Sequence, residues 1–335
     1  MQQELLRIPI RPDAPVATLA PALDALARGA LVAVPTETLY TLVARADLGA
    51  AAERLAQLGG EPAARLVRCV DDLPKPTPIL RRLASRHWPG PLVFALPERW
   101  RAPAHPIAAK LIEAAPFPLA GVECASDPQS VLTRAPGQVA CLLDAGPAPL
   151  AERAAVLEHV AGRLRLVRAG LFDLAALRAT AGLRIGFVCT GNTCRSPMAE
   201  GLARAALGTR LGVAPSRIGE LGFTVQSMGV YATPGEPASD HAVATLAERG
   251  IDLAGHRAHM ALPDVVSRLD RVYALMRSHL QALKLSLPPG KDRHCTLLDP
   301  DGRDISDPIG GPRSAYEQAA SQIERAISAR LDDWA

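Results

Sequence analysis

Arg184-Ile-Gly-Phe-Val-Cys189-Thr-Gly-Asn-Thr-Cys194-Arg195-Ser196-Pro197-Met-Ala-Glu200 decides the reading of this chain. The apolar run ending at Val188 predicts a buried strand. Ser196-Pro197 opens an alanine-rich run through Leu207, and Ser as N-cap with Pro at the first helical position predicts a helix start. Between strand and helix lies a loop framed by Cys189 and Arg195, with five residues between them. Loop N–H groups and a helix N-terminus directed inward make a cradle for an anion. Arg195 can grip two oxygens of a phosphate in a fork. The same field favours the thiolate form of Cys189, a nucleophile.

A bare Cys-x5-Arg occurs by chance in many chains. The preceding strand, Gly191 and Asn192 within the loop and Ser-Pro after it make the signal specific. With those residues in place, the stretch resembles the phosphate-binding loop of the low-molecular-weight protein tyrosine phosphatase family. Within that family, Cys-Thr-Gly-Asn-Thr-Cys-Arg-Ser most resembles the bacterial branch that includes protein-arginine phosphatases.

The resemblance continues to the C-terminus and implies a hydrolase acting on phosphotyrosine or phosphoarginine in proteins through a phosphocysteine, with no cofactor or metal. It implies Cys189 as nucleophile and Arg195 as transition-state clamp. Thr190, Gly191, Asn192, Thr193, Cys194 and Ser196 are implied as the substrate cradle. Asp307, in Asp304-Ile-Ser-Asp307-Pro308-Ile309-Gly310-Gly311, resembles the family's acid loop. The chemistry requires such a group, because an expelled alkoxide, phenoxide or amine leaves poorly without a proton. Asp299, Asp301 and Asp304 compete for the role, but only Asp307 precedes Pro and Gly-Gly. Asn192 tolerates the left-handed turn that the loop needs, and Ser196 can donate to the thiolate. Thr193 stands where the tyrosine-specific branch has a larger aliphatic residue, and leaves room for a planar guanidinium. Ile309 stands where much of the family has an aromatic wall. Cys194 is either a partner for a reversible disulfide with Cys189 or a small packing residue. His256 and His279 read as structural.

Around the loop, Gly222–Gln226 and Arg271–Met276 predict strands. Ser239–Gly250 and Tyr316–Ile327 predict helices. Strands alternating with helices imply a doubly wound parallel sheet with the loop at a strand's carboxyl end. Arsenate reductase shares this scaffold, but relays electrons through further cysteines, and only Cys295 lies downstream of Cys194.

The chain has 335 residues, 48% hydrophobic and 21% charged, which suggests two globular domains. Aromatics are 4%, so Ala, Leu and Val must fill the cores. Lys+Arg number 37 against 34 Asp+Glu, a net charge of +3 without basic tracts, and this makes no electrostatic case for nucleic acid or membrane. The start, Met1-Gln-Gln-Glu-Leu-Leu-Arg, does not read as a signal peptide, and no apolar run is long enough to span a bilayer. Six cysteines without dense pairing suit a reducing cytoplasm.

In the first half, residues 16–29 predict an amphipathic helix ending at Gly29. Leu31–Val34, Leu92–Leu96, Val139–Leu143 and Arg163–Arg168 predict strands. Pro35-Thr-Glu-Thr-Leu-Tyr40 predicts a turn opening a second helix, and Trp88-Pro-Gly-Pro91 a rigid turn. Pro-Thr-Glu-Thr-x-Tyr after a strand, Trp-Pro-Gly-Pro-Leu, and the closing Leu166-Val-Arg-Ala-Gly170 resemble the YrdC-like threonylcarbamoyl-adenylate synthase fold. That family uses ATP, threonine and bicarbonate to make an intermediate for tRNA modification. Its Lys-x-Arg-Pro phosphate grip corresponds to Gly59-Gly60-Glu61-Pro62, with both cations gone and an acid gained. Its Ser-Thr-Val-Val corresponds to Ala154-Ala155-Val156-Leu157, and its Tyr-Gly-Leu to Tyr40-Thr41-Leu42. Its Ser-x-x-x-Asn is not recognisable in Ala120–Asp127. Glu61 is expected to repel a triphosphate. The resemblance therefore implies an α/β domain over 1–178 that has lost synthase chemistry, followed over 183–335 by the phosphatase-like domain, with Leu174–Gly182 as linker. Thr36 and Tyr40 are expected to be structural. The alternatives are a live synthase, or a regulatory module holding a nucleotide or RNA, double-stranded RNA included.

Overall fold

The computed structural model describes residues 5–160 and 163–335, and the chain divides into two compact units, Met1–Leu177 and Arg178–Ala335. Residues 1–4, the beginning of the segment read above for a signal peptide, lie outside the described residues. Among the described residues no helix is long and apolar enough to cross a membrane. Leu174–Ala181, expected as a linker, is a helix: its run of Leu and Ala has high helix propensity and no breaker before Gly182.

The first unit is built on one mixed sheet. Its strands, in chain order, are β1 Leu6–Pro9, β2 Leu31–Val34, β3 Tyr40–Arg45, β4 Ala64–Leu66, β5 Leu92–Leu96, β6 Glu98–Arg101, β7 Leu119–Ala125, β8 Val139–Asp144, β9 Ala155–Val160 and β10 Arg163–Arg168. Across the sheet the order is β1-β8-β2-β3-β7-β4-β6-β5-β9-β10. Both faces of its centre are covered. Val32, Val34 and Val43 pack into one core, while Leu31, Ala33, Tyr40 and Leu42 pack into another, as the alternation of side chains along a strand requires.

The expected helix at Tyr40 is absent. Tyr40–Arg45 instead returns antiparallel to β2, with Val32 opposite Val43 and Val34 opposite Thr41. Tyr, Thr and Val fit a pleated, buried surface better than a helix. Within the turn, Thr36 Oγ1 donates to the Leu39 carbonyl at 2.5 Å and lies 3.1 Å from Thr38 Oγ1, so side chains satisfy the bend.

The second unit holds a parallel sheet of β11 Arg184–Cys189, β12 Thr224–Gly229, β13 Arg271–Ala274 and β14 Cys295–Leu297, in the order β12-β11-β13-β14. Val188, Met228, Val272 and Ala274 face the helices Pro263–Val266 and Arg277–Ser286 through Val266 and Leu283. On the opposite face Phe187 and Tyr273 meet Trp334 of the final helix, Arg313–Trp334, and Trp334 Nε1 donates to Tyr273 Oη at 2.9 Å. The strand order reverses at β11. Ligands bind at such a switch point, outside the carboxyl ends of the strands, and the Cys189–Arg195 loop stands there.

Candidate active site

β11 ends at Cys189 and the helix Arg195–Leu211 begins six residues later. The N–H groups of Thr190, Gly191, Asn192, Thr193 and Cys194 donate to no acceptor among the described residues. Buried amides normally find partners, and those of Asn192 and Cys194 are in buried residues; a run of free N–H groups about a cysteine suits an anion. Asn192 takes the left-handed conformation, with φ of 56°, which turns the chain tightly. The carbonyls turned outward are tied down. Thr190 O accepts from Tyr231 N, Thr193 O from Ser239 N at 2.8 Å, and Asn192 O lies 2.7 Å from His256 Nε2.

Side chains set the loop from below. Asn192 Nδ2 donates to Ser196 Oγ and to Ser227 Oγ, each at 2.9 Å, and its Oδ1 accepts from His259 N. Ser227 Oγ in turn donates to Glu200 at 2.8 Å. Ser196 Oγ is 3.0 Å from Cys189 Sγ. This corrects the expected helix cap. The Ser196 hydroxyl serves the thiol, while Cys194 holds the N-cap position without a side-chain cap bond. The neighbouring strand must also lie close. A Cβ on Gly229 would sit 2.4 Å from Thr190 O and 2.9 Å from Asn192 N, so only glycine fits there.

Arg195 is 2% exposed. Its Nη2 donates to Asp307 Oδ2 at 2.6 Å and its Nη1 to the Ile305 carbonyl at 3.3 Å, while its Nε is buried without a partner. One prong of the guanidinium fork thus holds a carboxylate and another N–H is free. Among the competing acids, Asp304 accepts from Arg277 N, and Asp299 and Asp301 hold Arg303. Of these four aspartates, Asp307 is the one on Arg195. Thr193 Oγ1 leans over Gly191, 3.6 Å from where its Cβ would be. Cys194 Sγ lies 3.4 Å from Ser239 Oγ and 3.5 Å from Tyr316 Oη, and both loop thiols are free.

His256 and His279, which read as structural from sequence, both touch the loop. His256 holds the Asn192 carbonyl, and His279 Nε2 lies 2.9 Å from Thr190 Oγ1. Sequence reasoning passed over Tyr231, whose side chain is 75% exposed while its N–H is anchored on Thr190. Ile309, 70% exposed, follows Asp307 and Pro308. An exposed aromatic two residues beyond a strand's carboxyl end was the available signal for Tyr231.

The first unit holds a second cluster. Glu61 is paired with Arg99, Arg153 and Arg168. Glu123 meets Arg101 at 3.1 Å, Arg168 at 2.8 Å and Arg153 at 3.6 Å, and accepts from Thr38 and from Ala154 N. Arg101 also donates to Glu37 and to the hydroxyls of Thr36 and Thr38. The guanidiniums hold the Glu61 carboxyl below its usual range, against burial that pushes it up. The expectation of a repelling acid therefore fails in its simple form, because Glu61 is already neutralised. The pairing leaves little room within the cluster: the hollow among Glu61, Arg99, Arg101, Glu123 and Arg168 measures about 20 Å³. Tyr40 Oη donates to Gly146 O and accepts from Ala145 N, and burial pushes it up to about 12.

Comparison with known proteins accords with this division. Residues 24–170 match the family described as telomere recombination (Sua5/YciO/YrdC). Residues 184–333 match that described as low molecular weight phosphotyrosine protein phosphatase. A protein-arginine-phosphatase of Geobacillus stearothermophilus is 38% identical over 149 residues, 43% of this chain and 90% of the relative. A probable low molecular weight protein-tyrosine-phosphatase EpsP of Ralstonia nicotianae is 33% identical over 142 residues, 42% of this chain and 89% of its own. An arsenate reductase 2 of Staphylococcus haemolyticus is 28% identical over 147 residues, 43% and 92%. Through its C-terminal unit, the chain belongs to the low molecular weight phosphotyrosine protein phosphatase family of hydrolases.

Proposed function

We propose that the C-terminal unit hydrolyses phosphorylated amino acids in proteins, with Cys189, Arg195 and Asp307 carrying the chemistry. The observation behind this is the ring of unpartnered N–H groups, Thr190 to Cys194, closed by Arg195 beside Cys189. The Cys189 thiolate, stabilised by Ser196, attacks phosphorus and forms an S–P bond. The P–O or P–N bond to the substrate breaks, and Asp307 gives its proton to the leaving oxygen or nitrogen. The loop amides and Arg195 hold the equatorial oxygens as charge spreads onto them. A water then attacks the phosphocysteine, Asp307 takes its proton, the S–P bond breaks, and inorganic phosphate leaves with the thiolate restored.

Among substrates we favour phosphoarginine over phosphotyrosine. The support is Thr193, a small polar residue of the loop whose Oγ1 lies near Gly191, and Tyr231, an exposed aromatic whose N–H is held by Thr190 O. Phosphate release from phosphoarginine and phosphotyrosine proteins, with Cys189→Ser alongside, tests both levels. Release that persists in Cys189→Ser refutes the mechanism, and a preference for phosphotyrosine refutes the substrate. Arsenate reduction has less support: burial pushes the Cys295 thiol up to about 11, which makes it a poor relay.

For the N-terminal unit, residues 1–178, we propose a scaffold without synthase chemistry, held by its internal Arg–Glu cluster. Titration of the full chain with ATP or RNA is expected to give no binding, and micromolar affinity refutes this. Free cysteines at all six positions favour a cytoplasmic setting.

A further inference from the structure

His279 has no part in the chemistry above, yet it is buried to 3% exposure beside the loop. It enters from the first turn of the helix Arg277–Ser286. Its Nε2 is 2.9 Å from Thr190 Oγ1, and its Nδ1 is buried with no partner. Thr190 is the residue directly after the nucleophile. Its carbonyl is held by Tyr231 N–H and its hydroxyl by His279, while its own N–H has no acceptor. Two of its three polar groups are therefore fixed, and the third is left for the cradle.

Folding alone does not call for this arrangement. Thr190 is an exposed residue, so water could serve its hydroxyl in place of a protein partner. An apolar residue at 279 would avoid leaving a ring nitrogen buried and unpaired, which is destabilising. What the contact does provide is order in the peptide that follows Cys189. We infer that His279 is a positioning residue of the phosphate loop, whose hydrogen bond to Thr190 fixes the Cys189–Thr190 peptide so that the Thr190 N–H is set for an oxyanion before it arrives.

The ring does this uncharged. Burial and the nearby Arg195 guanidinium push it down to about 4, against the opposing pull of Asp307 and Asp304. A neutral ring orders the loop without adding a second cation that would compete with Arg195 for the phosphate. A lysine or arginine in the same place would do so.

The inference rests on the phosphatase reading of the loop, and its test must not depend on turnover. Tungstate, a tetrahedral oxyanion, is titrated calorimetrically into the full chain and its variants at neutral pH. Thr190→Val and His279→Ala are each expected to weaken binding about three- to tenfold, the range for loss of one ordering hydrogen bond. The double variant is expected to be no weaker than either single one, because both remove the same contact. His279→Asn, whose amide can reach the same hydroxyl, is expected to retain most of the affinity. Wild-type affinity in Thr190→Val, or losses that multiply in the double variant, would overturn the inference. Should His279→Ala fail to fold, Thr190→Val and His279→Asn still decide it. If the wild type binds tungstate but hydrolyses no phosphoprotein, the hydrolase reading falls while the affinities still judge His279. If it binds no tungstate, both fall.

Discussion

Replacing Asp307 with asparagine removes a charge from the cradle and leaves its shape. In the free protein, Asp307 Oδ2 lies 2.6 Å from Arg195 Nη2 and so occupies one prong of the fork that a phosphate would take. An incoming phosphate must displace it, and must then lie beside a second anion. A hydrogen bond between ionised groups contributes about 1.5–3 kcal/mol. The Asp307 side chain is 40% exposed, so screening by solvent reduces this to about 1–2 kcal/mol. Energies of that size change an equilibrium about 5- to 30-fold. Asp307→Asn is therefore expected to bind inorganic phosphate about 5- to 30-fold more tightly than the wild type at pH 7, by calorimetry. The same variant is expected to lose about 10²–10⁴ in turnover, because the leaving group receives no proton. Two effects of opposite sign from one substitution make a demanding test. Phosphate affinity equal to or weaker than that of the wild type would refute the argument that Asp307 competes for Arg195.

Three further perturbations follow from the geometry. Glu61→Ala leaves Arg99, Arg153 and Arg168 without their shared carboxylate and is expected to cost about 3 kcal/mol of stability; an unchanged urea midpoint would show the cluster to be dispensable. The His279 ring, pushed from its ordinary 6.5 to about 4, has a lower value folded than unfolded. Its contribution to stability is therefore complete above 6.5 and is lost progressively as pH falls toward 4, about 3 kcal/mol in all. His279→Asn is expected to flatten that part of the stability profile, and identical profiles for the two proteins would sink the claim. Thr193→Ile adds bulk beside Gly191 and is expected to shift the ratio of phosphoarginine to phosphotyrosine turnover at least tenfold toward tyrosine, the range for adding bulk to a pocket; an unchanged ratio would remove Thr193 from the specificity argument.

Parts of the fold and site that depend on neighbours in sequence were legible there. The strand, the Cys189–Arg195 spacing and the following helix form one continuous segment, and each was read from it. Errors arose where a residue had two local options and a distant partner chose between them. Ser196 is a good cap by type, but its hydroxyl is claimed by Cys189 and Asn192. Tyr40 opens a segment that could start a helix, but its ring and hydroxyl are buried against Ala145 and Gly146. The roles of His256 and His279 depend on contacts 64 and 89 residues away, which no local pattern carries. Glu61 is the plainest example. The loss of a cation at that position was visible in sequence, but the three arginines that meet its carboxylate come from strands and loops 38, 92 and 107 residues further on.

That three-to-one pairing at Glu61 also makes the position hard to reverse. Once a carboxylate stands at position 61, Arg153 and Arg168 are held in place by it and the hollow is closed. A single reversal, Glu61→Arg, would set a fourth guanidinium against Arg99, Arg153 and Arg168 and remove the carboxylate that they share. Position 61 thus works as a shared counter-charge for three separate segments of the first unit, and a change there is felt in all of them at once.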